Sequence, residues 1–258
     1  MFIRILSSVI LLPLLFYILI NGGVPLYLGV FIVSIIALKE FYSAFRLKEI
    51  NPINILGYIT STVFFLFFVF RIDINYVYSM ITVLFFCSSI LLIWKKYTII
   101  DMGVTFLGII YIPYFLSHIV FIKEFIGHNF IWVVFIIAWM TDTFAYFSGY
   151  FFGKHKLIPQ VSPKKTIEGS IGGIVGSILS CIVFAYIVDV SILHITIIGF
   201  LGSILAQLGD LFASSIKRFI KIKDYGKLIP GHGGILDRFD SILFTAPFVY
   251  YYVLIFMK

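Results

Sequence analysis

The sequence predicts an all-α, polytopic integral membrane protein of about nine transmembrane helices, and three observations carry that prediction. The 258 residues are 61% hydrophobic and only 12% charged, with a mean hydropathy of +1.10, whereas a water-soluble domain carries about 25% charged residues. Apolar runs of about 20 residues, the length that crosses a bilayer, follow one another along the chain. The basic residues gather in alternate gaps between those runs.

The runs cover residues 4–21, 25–45, 52–70, 76–94, 98–120, 129–152, 167–188, 191–216 and 239–257. Short polar breaks separate most of them: Asn51-Pro52, Arg71 to Asn75, and Lys95-Lys96. The break at Asn21-Gly22-Gly23 reads equally as a turn between two helices or a kink in one. Longer polar stretches lie at 153–166 and 217–238. Strands are not expected, because no segment sustains the period-two alternation of a barrel. With nine crossings, the side of the N-terminus carries Arg4, Arg46, Lys48, Lys95, Lys96, Lys154, Lys156, Lys164, Lys165, Lys217, Arg218, Lys221, Lys223, Lys227 and Arg238, and the other side only Arg71, Lys123 and Lys258. Lys39 lies within a run. That asymmetry places the N-terminus and both long polar stretches in the cytoplasm.

One membrane domain, 1–258, is expected, with N-terminal helices in 1–125 and the polar loops in 126–258; no polar stretch is long enough for a separate soluble domain. The first run lacks an A-x-A cleavage site and reads as a retained helix. Cys87 and Cys181 fall in apolar runs and read as buried thiols, not as a disulfide framework. The net charge of +7 would suggest nucleic acid in a soluble protein. Here membrane orientation accounts for it, and no nucleic-acid partner is expected. Gly169, Gly172, Gly173 and Gly176 give the small-residue spacing of close helix packing.

Acidic residues inside a membrane run are costly and mark a water-filled cavity or a bound cation. Asp142 and Asp210 both lie in such runs. At helical spacing Gln207, Asp210, Ser214 and Lys217 share one face that ends at the second polar stretch. Asp237, Asp240 and Ser241 share a face where the last run begins, although an acid there is also a natural helix cap. Between them, six basic residues flank Pro230-Gly231-His232-Gly233-Gly234. Glycines let backbone amides approach phosphate oxygens, and Lys and Arg neutralise phosphate charge. Carboxylates repel phosphate, so the combination implies a divalent cation, Mg²⁺ being the best fit. The stretch 153–169 repeats the theme with Lys154, Lys156, Ser162, Lys164, Lys165, Thr166 and Glu168, a second phosphate-binding surface or simply a basic cytoplasmic loop.

These residues resemble the signature of the phosphatidate cytidylyltransferases (CDP-diacylglycerol synthases). The match runs through Ser214, Lys217-Arg218, Lys223-Asp224, Gly226, Pro230-Gly231-His232-Gly233-Gly234 and Asp237-Arg238-Phe239-Asp240, without departure. Upstream, Asp142-Thr143-Phe144-Ala145-Tyr146 and Ser162-Pro163-Lys164-Lys165-Thr166-Ile167-Glu168-Gly169 are also similar to family patterns. In the first hundred residues only hydropathy and Glu40-Phe41-Tyr42 match, and Glu40 reads as an interfacial residue.

The resemblance implies transfer of CMP from CTP to phosphatidic acid, releasing pyrophosphate, in phospholipid biosynthesis. It implies Mg²⁺, with K⁺ as an optional second metal, a homodimer, and a bacterial-type inner membrane with the active-site loops cytoplasmic. On this reading Asp210 and Asp237 hold the metal, while Lys217, Arg218, Lys223 and Arg238 act on phosphates at the reacting centre. Substrates are held by Asp142, Ser162, Lys164, Lys165, Thr166, Glu168, Ser214, Lys227 and Asp240. Gly231, His232, Gly233 and Gly234 shape the triphosphate loop. Two other classes fit parts of the pattern. A CTP-dependent lipid-alcohol kinase, or a cytidylyltransferase for another lipid phosphate, would share the loops. A transporter would use the buried acids for coupling ions, but no inverted repeat is evident.

Overall fold

The computed structural model describes the backbone of residues 2–72, 75–229, 231 and 233–257, and the side chains of these except residues 2–8, 10, 75–78, 80 and 81. Every apolar run is a helical rod: α1 Phe2–Asn21, α2 Gly23–Arg46, α3 Asn54–Phe70, α4 Asn75–Ile93, α5 Ile99–Ile126, α6 His128–Phe152, α7 Ile167–Val188, α8 Ile192–Ile220 and α9 Leu236–Phe256. Among the described residues six of these, α2 and α5–α9, are long and apolar enough to cross a membrane. The protein is a multi-spanning membrane protein of the all-α class.

Gly22 and Gly23 adopt φ of 65° and 51°. This left-handed pair is open to glycine and strained for other residues, and it ends α1 and starts α2 as a turn, not a kink. α5 is not a regular α-helix. Pro113 has no N–H to give, and the turn Ile110–Tyr114 around it widens to π geometry. A second π turn, Ile122–Ile126, precedes Gly127 at φ 144°.

One element departs from the sequence expectation. The polar stretch after α6 folds as an antiparallel hairpin of β1 Lys156–Ile158 and β2 Ser162–Thr166, in register Lys156↔Thr166 and Ile158↔Ser162 with an irregularity between the two pairs. β1 is only three residues long, and β2 is polar and carries Pro163, so neither shows the sustained alternation by which a strand is recognised.

The chain forms two compact units, residues 1–120 with 224–238, and residues 121–223 with 239–258. In the first, the end of α2 is anchored by Tyr42, fully buried between Gly57 and Gly108. A Cβ at either glycine would fall within 2.5–2.7 Å of the Tyr42 side chain, and the phenol donates to the Thr105 carbonyl at 2.9 Å. Asp101 is buried but fully employed: it forms a capping box with Thr98 and accepts the Asn51 N–H at 2.5 Å.

In the second unit α6 and α7 approach through the glycines noted above. A Cβ on Gly169 or Gly173 would stand 2.8–2.9 Å from the carbonyls of Ala145 or Thr141, and one on Gly172 or Gly176 would enter the Ser148 or Phe144 side chain. Thr141 donates to Ser203 of α8 at 2.9 Å, and Ser177 donates to the Gly199 carbonyl at 3.0 Å. These bonds keep hydroxyls satisfied in an apolar interior. Buried Cys181 packs on Gly199, whereas Cys87, read from the sequence as buried, is exposed; both are free thiols.

Candidate active site

The second unit assembles a polar centre from four elements. A cavity of about 470 Å³ is lined by Asp142, Tyr146 and Tyr150 of α6, by Lys156, Lys164 and Lys165 of the hairpin, by Thr166, Gly169 and Ser170 at the hairpin–α7 junction, and by Gln207 of α8. Close packing of α6 on α7 brings Asp142 to the same cavity as the hairpin lysines. Thr166 is the N-cap of α7, its hydroxyl accepting the Gly169 N–H at 3.1 Å. Glu168 accepts the backbone N–H groups of Lys154 and His155 at 3.1–3.3 Å and pairs with the His155 ring at 2.7 Å. Both belong to the substrate-binding set read from the sequence; Thr166 lines the cavity, and both side chains also hold backbone at the hairpin–α7 junction.

Lys165 reaches from the hairpin to form an ion pair with Asp210 of α8. One turn on, Ser214 donates to Asp210 at 3.3 Å, and one turn before it Gln207 exchanges hydrogen bonds with Ser170, at 2.5 Å to the hydroxyl and 3.3 Å to the carbonyl. The polar stripe read from helical spacing is therefore one continuous face, with Gln207, Ser214 and Lys217 buried. Asp240, also buried, lies within electrostatic range of Asp210, Lys217 and Asp142. Three carboxylates thus share a low-dielectric neighbourhood with Lys165 and Lys217. Beside Asp240 the buried Ser241 hydroxyl has no hydrogen-bond partner among the described residues, the mark of a site that takes a further polar ligand. Arg218 gives two donors to backbone carbonyls, of Val161 at the hairpin turn and of Ile222, which leaves part of its guanidinium for a ligand. Ser162 opens β2 and is half-buried, and Lys223 is exposed.

The glycine-rich segment belongs to the first unit. Ile229 and Gly233 form an isolated antiparallel bridge, N–H to carbonyl at 3.0 Å, around a tight turn in which Gly231 and Gly233 take φ of 80° and 94°. Both positions therefore need glycine for conformation. His232, expected to shape this loop, lies outside the described residues. Lys227 and Arg238 are exposed. Asp237 is buried and commits Oδ2 to two backbone N–H groups, of Tyr225 at 2.8 Å and of Gly234 at 3.1 Å. In this structure the Gly234 amide faces Asp237, not an open phosphate slot. Glu40, read from sequence as interfacial, accepts the next two N–H groups, of Ile235 at 3.1 Å and of Leu236 at 2.9 Å. Its adjacency to Phe41-Tyr42 was the only signal the sequence offered.

No three His, Cys, Asp or Glu side chains converge as a metal cage among the described residues. That donor set still suits Mg²⁺, which keeps several waters and takes one or two carboxylates together with substrate phosphates.

The sequence profile described as the cytidylyltransferase family matches residues 2–256. A phosphatidate cytidylyltransferase of Staphylococcus haemolyticus is 35% identical over 95% of this chain and 96% of its own. The protein of that name in Bacillus subtilis is 32% identical over 98% and 97%, and one in Staphylococcus aureus is 34% identical over 95% and 96%. A match that spans both units and every site residue discussed above leaves one conclusion: the chain belongs to the cytidylyltransferase family.

Proposed function

We propose that this protein transfers CMP from CTP to phosphatidic acid, giving CDP-diacylglycerol and pyrophosphate. The observation that carries the reading is the Lys165–Asp210 ion pair beside a cavity lined by two further lysines. Basic groups for phosphate and acids for a cation meet there within an apolar helix bundle. The names of the relatives support the lipid and nucleotide classes.

In the proposed reaction an oxygen of the phosphatidate phosphate attacks the α-phosphorus of CTP, and the α–β bridging P–O bond breaks as pyrophosphate leaves. A phosphate monoester is largely ionised near pH 7, so no strong protein base is required. Catalysis rests on orientation and on neutralising charge as it develops. Mg²⁺ would be held through Asp210 and would supply a Lewis acid for the phosphate oxygens. Lys165 holds the Asp210 carboxylate in position and hands its charge to an incoming phosphate. Lys217 and Arg218 are proposed to neutralise the triphosphate, with Lys223, Lys227 and Arg238 acting from the second polar stretch. The exposed aromatic residues of α6, Tyr146, Tyr150, Phe151 and Phe152, offer an apolar flank for acyl chains. Nine spans, a cytoplasmic active site in an inner membrane, a homodimer and an optional K⁺ complete the proposal.

The test is incubation of the purified protein with labelled CTP, Mg²⁺ and phosphatidate in mixed micelles. Lipid-linked CMP plus pyrophosphate is expected. CDP plus a phosphorylated lipid alcohol, obtained with the alcohol as acceptor, would replace this reading with a kinase.

A further inference from the structure

We propose that Glu40 is a positioning residue for the phosphate-handling loop, clamping the start of α9 from the far end of α2. The inference rests on the function proposed above and adds a residue from the half of the chain where the family signature is weakest.

A helix begins with backbone N–H groups that have no intrahelical partner. At the start of α9 three successive amides are taken by two carboxylates. Asp237, three residues away, accepts Gly234; Glu40, 195 and 196 residues away, accepts Ile235 and Leu236 with one oxygen each, at 3.1 and 2.9 Å. Charge-assisted bonds of this kind are about twice as strong as neutral ones, and a carboxylate is favoured by the positive end of the helix dipole. The clamp is also built sterically. Gly226 and Gly234 both lack positive φ, so their backbone conformation is open to other residues. What a side chain would meet there is Glu40, which would have to leave its hydrogen bonds: a Cβ on Gly234 would stand 2.5 Å from Oε2, and one on Gly226 would enter Oε1. Two of the signature glycines therefore make room for this carboxylate.

The anchor behind Glu40 is rigid. Phe41 packs on Tyr225 with ring centroids 6.2 Å apart, and Tyr42 is wedged between Gly57 and Gly108. The loop from Tyr225 to Leu236 is thus referred to a fixed point on α2, while exposed Lys227 projects from it. With Glu40 in place the first amides of α9 are closed to phosphate, which leaves the loop's side chains to hold it.

The experiment uses the full-length protein in detergent, with three substitutions. Glu40→Gln keeps the size but places an amide NH₂ against one of the two N–H donors and removes the charge. It is expected to raise KM for CTP about tenfold and leave KM for phosphatidate within about twofold, with trypsin cutting at Lys227 about tenfold faster. Gly234→Ala is expected to give the same phenotype in the native background and to add less than about twofold in a Glu40→Ala background, where the carboxylate it collides with is gone. Unchanged KM for CTP and unchanged cleavage at Lys227 in Glu40→Gln would overturn the proposal, as would equal costs of Gly234→Ala in both backgrounds. If the native protein makes no CDP-lipid, the function reading fails, and the cleavage rates alone decide whether Glu40 holds the loop.

Discussion

Replacing Asp210 with Asn separates the chemistry of this site from its architecture. The Asp210 side chain and its partner Lys165 each keep 26% of their surface exposed. Solvent screens such a pair, and losing it costs folding on the order of 1 kcal/mol. The Asn side chain has the same size and can still accept the Ser214 hydroxyl, now at 3.3 Å. The cost to catalysis is of another order. Removing one preorganised electrostatic partner of a developing charge typically lowers turnover by about 10²–10³, and here the same carboxylate is also the proposed metal ligand. Asp210→Asn is therefore expected to elute as a folded, helical protein from size exclusion, to melt within a few degrees of native, and to form CDP-lipid about a thousandfold more slowly at saturating CTP and Mg²⁺. Turnover above a tenth of native would remove Asp210 from the reaction. A protein that no longer folds would show that the ion pair is an architectural element and that its catalytic assignment was wrong.

Three further outcomes follow from the same geometry. Gly233→Ala forces a Cβ onto φ 94° and is expected to destabilise the loop by about 1–3 kcal/mol, read as faster amide exchange at 225–236 with helix exchange unchanged. Gly176→Leu drives a side chain into the Phe144 ring and is expected to separate α6 from α7, lowering both the melting temperature and the yield of membrane-inserted protein. Chelation with EDTA is expected to abolish product formation, and Mg²⁺ to restore it; activity that survives chelation would exclude the metal role.

The helices were legible because each is an apolar run bounded by Gly, Pro or charge, a pattern the bilayer imposes on any spanning segment. The face Gln207–Asp210–Ser214–Lys217 was legible for a related reason: helical periodicity alone brings those side chains together, and the structure needs no tertiary information to align them. The hairpin was not legible, because its strands form in a polar loop where no buried face imposes alternation. Its consequence for the site is specific. Pairing Lys156 with Thr166 and Ile158 with Ser162 is what brings Lys165 to Asp210 on α8, 45 residues further along the chain, a meeting that spacing could not reveal.

Glu40 was hidden for a different reason, and it bears on how acids in this chain should be weighed. An acid near the end of an apolar run has two physical outlets, interfacial water or a set of unpaired backbone donors. Sequence sees only the first, because the donors come from a helix start 196 residues away. The glycines carry the missing information. Gly231 and Gly233 are explained by positive φ, but Gly226 and Gly234 are not, and a glycine with ordinary φ asks what occupies the space its side chain would fill. The answer in both cases is the same carboxylate. The signature loop is thus two kinds of glycine with two causes: one pair lets the chain turn, and the other admits an acid from α2 that holds the turned loop in place.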